Sequence, residues 1–129
     1  MDYTARIQEL SNLKSLIVGK VVSTSDVDGF SSEVSGWEGN APEGYRSLVE
    51  DTKNETQKVY ETIDTVVSAI ENRITELETL IENQYAANSG IPYMILDDDS
   101  AKNRSKQISK INQISNLDSS VRERLMSRV

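Results

Sequence analysis

The chain reads as all-α: an elongated antiparallel helical hairpin followed by a C-terminal extension, helical or flexible. Three observations predict this. Apolar residues recur at steps of three and four along most of the 129 residues. Aromatic residues make up only 5% of the chain and charged ones 27%, too few bulky side chains for a thick core. Strong turn signals cluster at 36–42 and 89–92, which divides the chain into a hairpin over 1–89 and an extension over 90–129.

The first element follows from Tyr3, Ile7, Leu10, Leu13, Ile17 and Val21, spaced by 3 or 4 with polar residues between, an amphipathic helix over about 2–22. Ser23-Thr24-Ser25-Asp26 then competes for backbone hydrogen bonds and breaks it. Phe30, Val34 and Trp37 at i, i+4 and i+7 predict a shorter helix ending near Gly36. The chain turns through Gly36-Trp37-Glu38-Gly39-Asn40-Ala41-Pro42, where Asn40 is a candidate cap, Glu43 its capping-box partner, and Pro42 sits in the first turn.

A long helix follows to about Asn88, with the stripe Tyr45, Leu48, Thr52, Thr56, Val59, Ile63, Val66, Ile70, Ile74, Leu77, Ile81 and Gln84. At 1.5 Å per residue about 45 residues give a rod of roughly 70 Å. Its best apolar seam, Val59 to Ile81, is a packing surface to be covered within the chain or by another chain. Ser89-Gly90-Ile91-Pro92 ends the helix, and Asp97-Asp98-Asp99-Ser100 supplies a cap and favourable charge for the next. The last stripe is Ile108, Ile111, Ile114, Leu117, Val121 and Leu125 on a Ser/Asn/Lys/Arg background. It reads as a basic amphipathic segment that is mobile unless a partner covers it.

Charge and composition exclude several functions. Through Asp99 there are 7 basic and 19 acidic residues, net −12, and from Ser100 onward 7 basic and 2 acidic, net +5. The acidic body repels phosphate backbones, so no nucleic-acid binding is expected of it. Cysteine and histidine are absent, removing thiol nucleophiles, imidazole bases and most transition-metal sites. The carboxylates lie among lysines and hydroxyls with no convergent pair, and Asp97-Asp98-Asp99 lacks the alternating ligands and central glycine of a calcium loop. The expectation is therefore a non-enzyme without metal or cofactor. Apolar runs such as Leu16-Ile17-Val18 are far too short for a membrane helix or a signal peptide, so neither membrane insertion nor general secretory export is expected.

Trp37-Glu38-Gly39, in a turn between amphipathic helices of a small acidic chain, resembles the WXG family of type VII secretion proteins over about 2–88. The interrupted first arm and the extension make it more similar to the longer WXG-like proteins that accompany LXG toxins in Gram-positive bacteria. That resemblance implies a cytoplasmic adaptor, secreted without a cleaved signal peptide, that pairs with an LXG toxin's helical domain or another WXG-like chain, or with its own copy. Partner-binding residues would be Trp37, Gly39, Val59, Ile63, Val66, Ile70, Ile74, Leu77 and Ile81. Tyr93-Met94-Ile95-Leu96-Asp97 fits the family's Tyr-x-x-x-Asp/Glu export signal beyond the second helix, carried by Tyr93 and Asp97. Tyr60 to Asp64 matches the same pattern inside the helix. A hydrophobic plug closing the hairpin is the plainer role for Trp37, compatible with recognition. The rival reading is a structural coiled-coil oligomerisation protein of a phage or cell surface, with no part in secretion.

Overall fold

The computed structural model describes residues 2–20 and 40–129. Every regular element among them is helical: α1 (Tyr3–Lys20), α2 (Asn40–Asn88), a 3-10 turn (Ile91–Tyr93), α3 (Ser100–Asn112) and α4 (Ser119–Met126). The proposed short helix before Gly36 and the Trp37-Glu38-Gly39 turn lie outside the described residues. The chain divides into two compact units, one of Met1–Asn12 with Glu71–Val129, the other of Leu13–Ile70.

The 49 residues of α2 run where the apolar spacing places them, with Asn40 already inside the helix and Glu43 in its first turn. Threonines along it fold their hydroxyls back onto the carbonyl four residues earlier, as at Thr52 onto Leu48 (2.8 Å) and Thr56 onto Thr52 (2.7 Å). With the hydroxyl so engaged, threonine costs the helix little and keeps a methyl group at its surface. At the C-terminus, Asn88 Nδ2 donates to the Gln84 carbonyl (2.8 Å) and Ser89 Oγ to that of Ala86 (3.0 Å), the latter one of the last carbonyls that the helix leaves open. Gly90 keeps right-handed backbone angles (φ −78°), so the stop comes from these side chains and Pro92 rather than from a left-handed glycine.

In the unit of 1–12 and 71–129, Ile91, Ile111, Val121 and Leu125 form the buried cluster, with Ile81, Tyr85, Ile114, Leu117, Met126 and Val129 packed on it. The extension thus differs from the sequence expectation. It is two helices, and their apolar face is covered by the end of α2 within the chain. The break comes at Asn116, which takes a left-handed conformation (φ 58°) that asparagine tolerates, followed by Asp118 as the cap of α4. Arg122 reaches back from α4 to the carbonyls of Ile111 (2.8 Å) and Ile114 (3.1 Å), placing a cation on the open C-terminus of α3. Arg124 lies 3.6 Å over the Tyr85 ring and pairs with Glu82 (2.7 Å). As an exposed pair it contributes little beyond orientation.

In the unit of 13–70, Ile70 is buried, and Ile63, Val67, Tyr60 and Thr56 are half-buried along one line of α2. Val59 and Val66, one position before the inward residues Tyr60 and Val67, are 57% and 45% exposed. The N-terminal half of the predicted seam therefore sits one residue out of phase with the line that is covered. Lys14 and Lys53 occupy half-buried positions that an apolar count passes over.

Candidate functional site

The residues expected to bind a partner fall into three groups. Ile70 and Leu77 are buried within the chain, and Ile63, Ile74 and Ile81 are half-buried, Ile81 against the C-terminal cluster. Val59 and Val66 face outward. Trp37 and Gly39 lie outside the described residues. On the outer side of α2, Tyr45 (45% exposed), Thr52, Val59 and Val66 recur every seven residues, with Leu48 (64%) three after Tyr45. A seven-residue apolar repeat keeps one narrow strip in line along a helix that pairs with another helix. This strip lies wholly within the unit of 13–70, where Leu13, Leu16 and Val18 of α1 are also exposed.

Tyr93 and Asp97 are not equivalent. Tyr93 ends the 3-10 turn and is 71% exposed, while Asp97 is half-buried and pairs with Lys106 (2.8 Å). The hydrogen bond from Lys106, with another from the Asp99 N–H, holds the Asp97 carboxyl below its ordinary pKa. Residues 94–97 are not helical, so the two side chains do not share a helix face. The segment is fixed from α3 by side chains that the sequence shows only as polar spacers. Gln107, itself buried, donates to the carbonyls of Pro92 (2.9 Å) and Met94 (2.8 Å). Asn103 accepts from the N–H groups of Leu96 and Asp97 and donates to the Met94 carbonyl. Lys106 adds a bond to the Leu96 carbonyl (3.3 Å).

Asp118 is the other polar centre that the stripe reading missed. It is fully buried, caps α4 through the Ser120 N–H (2.9 Å), and accepts from the N–H (2.8 Å) and hydroxyl (2.7 Å) of Thr4 in the first turn of α1. Burial pushes its pKa up, but the hydrogen bonds from Ser120 and Thr4 outweigh burial and hold the carboxyl well below the usual range. Gln84 joins the network, accepting from the Asp118 N–H and donating to the Asn116 carbonyl. Beside it lies an open groove of about 410 Å³, walled by Leu80, Ala87, Ile114 and Leu117 and rimmed by Asn83 and Asn88.

Among the described residues no group of three or more His, Cys, Asp or Glu side chains is placed to hold a metal, and no helix is long and apolar enough to cross a membrane. No family model matches the chain, and neither the curated proteins nor the solved structures include a match to it.

Proposed function

We propose that the chain is a non-catalytic helical partner and targeting adaptor of a type VII secretion system, pairing with the helical domain of an LXG toxin or with another WXG-like chain. The observation that carries the reading is the exposed seven-residue repeat of Tyr45, Thr52, Val59 and Val66 along a helix of 49 residues. A strip of this kind suits a second helix better than a small molecule, because it is long, narrow and free of convergent polar groups. The Trp37-Glu38-Gly39 sequence, through its resemblance to the WXG pattern, supplies the link to secretion. On this reading the complex assembles in the cytoplasm and leaves without a cleaved signal peptide.

Co-expression with the helical domain of an LXG toxin encoded beside this chain tests the proposal. The two should co-purify, and Val59→Glu with Val66→Glu should abolish the complex while leaving the helical signal of the free chain intact. A complex that survives the double substitution removes the strip from the interface. Pairing of the chain with itself alone, through the same residues, would favour the structural oligomer instead.

A further inference from the structure

We infer that the start of α1, residues 3–12, is a detachable arm, and that Asp118 of the C-terminal extension is the clasp that holds it closed. The arm belongs to the same unit as the extension but is held there differently. Within that unit α3 buries Gln107 and Ile111, α4 buries Val121 and Leu125, and the end of α2 buries Leu77. Among the described residues, α1 contributes no buried side chain. Tyr3, Ile7 and Leu10, spaced by 4 and 3, are half-buried, so each withdraws only part of its apolar surface from water. Elements with few buried apolar contacts open first, at a free energy below that of global unfolding.

What offsets the thin apolar contact is polar and sits at one end. The Thr4 N–H (2.8 Å) and hydroxyl (2.7 Å) both donate to the Asp118 carboxylate, and the same hydroxyl lies 3.0 Å from Ser120 Oγ. Hydrogen bonds to an ionised carboxylate are the strong kind, so this contact fixes where the arm lies. It is not what makes the arm helical. Asp2 caps α1 from within, its carboxylate accepting from the Ala5 N–H (3.3 Å) and its carbonyl from the Arg6 N–H (3.3 Å). On the other side Asp118 keeps the Ser120 N–H (2.9 Å) and its own N–H stays on Gln84 (2.9 Å). Each helix retains a cap when the clasp opens, so the arm undocks without either one first unravelling.

Opening changes the groove beside the clasp. Tyr3 lines that groove together with Leu80, Ala87, Ile114 and Leu117. When the arm leaves, these four side chains lose their cover from Tyr3, and the Asp118 carboxylate, fully buried in the closed state, loses its two donors from Thr4. The strength of one clasp therefore sets how often an apolar surface of the extension is uncovered. Because the two ends of the clasp lie 114 positions apart, any change at Asp118 is felt at the N-terminal arm, and the reverse. The device is independent of any part the chain plays in secretion.

Amide hydrogen exchange of the full chain, read residue by residue, tests the device. In the parent, residues 7–12 should exchange at least about tenfold faster than Ile111 and Leu125 of the buried cluster. Thr4→Pro removes both donors from the arm, is tolerated in the first turn of a helix, and leaves Asp118 capping α4. It should speed exchange at 7–12 by a further factor of about ten or more, the scale of one lost hydrogen bond to a charged group, with α3 and α4 unchanged. Thr4→Val keeps the N–H and should fall between parent and Thr4→Pro, which keeps the inference testable if the proline variant fails to fold. Glu9→Gln, on the exposed side of the arm, should exchange as the parent does. Arm amides as protected as Ile111 in the parent, exchange indifferent to both Thr4 variants, or variants that speed α3 and α4 as much as the arm would each overturn the inference, because the arm would then be part of one cooperative body.

Discussion

Asp118 concentrates at one carboxylate what the rest of the chain spreads along its helices. Its oxygens take the N–H of Ser120 in α4 and of Thr4 in α1, so one side chain serves two helix N-termini. Each N-cap contributes about 1 kcal/mol, so Asp118→Ala should cost roughly 2 kcal/mol or more, and Asp118→Asn less because one acceptor oxygen remains. Urea unfolding of the two variants checks the order, and an Asp118→Ala chain as stable as the parent would contradict the double cap. The pH dependence has a definite sign. The folded-state pKa lies below the unfolded value of about 3.9, so this stabilisation is complete above that value and is lost as pH falls below it. Acid melts between about pH 5 and 2 should therefore show a drop that Asp118→Asn reduces. The sequence held a readable signal for the cap, since Asp118-Ser119-Ser120 precedes the apolar pair Val121 and Leu125. It held none for the bond to Thr4, which lies 114 positions away.

The elements were legible where local chemistry alone decides them. The end of α2 at Asn88, the Pro92 stop and the Asp99 cap, which accepts from the Lys102 N–H (2.9 Å), follow from residue types at fixed offsets. The tail was misread as one segment because Ile108 to Leu125 keeps helical spacing straight through a break that Asn116 and Asp118 create. Its order was missed for a related reason. Ser, Asn, Lys and Arg look like a solvated background, yet Asn103, Gln107 and Arg122 all bind backbone groups of neighbouring segments. Nor could the sequence say whether a helical stripe is covered by its own chain, which is why Ile81 could be assigned to a partner although it packs on the C-terminal cluster. That packing sets an expectation for the tail. Leu125 is fully buried, so Leu125→Ala should cost about 2–5 kcal/mol by thermal or urea unfolding. Limited trypsin digestion of the parent should spare Lys102 to Arg124 about as well as the body of α2. Selective early loss of the tail would mean that the cluster is not closed in solution.

At the scale of the whole molecule, the described residues of the two units differ in where their apolar side chains stay open. The unit containing 71–129 buries Leu77, Ile91, Ile111, Val121 and Leu125 and exposes Tyr93 and Ile95 in one loop, whereas the described part of the unit of 13–70 buries Ile70 and leaves Leu16, Leu48, Val59 and Val66 more than half or nearly half exposed along its helices. Large apolar side chains repeated along one face of an uncovered helix have a use only if something else covers them. Stability measurements on the free chain separate the covered from the uncovered residues without any partner. Ile70→Asp and Leu77→Asp each place a carboxylate at a buried position, and each should cost several kcal/mol or abolish cooperative melting. Val59→Glu and Val66→Glu add charge where water already reaches, and each should change stability by no more than about 0.5 kcal/mol. Circular dichroism melts of the four single variants decide between the two sets. If the valine variants lost as much as the buried ones, the strip would be covered by the chain itself, and the pairing surface proposed for α2 would have to be sought elsewhere.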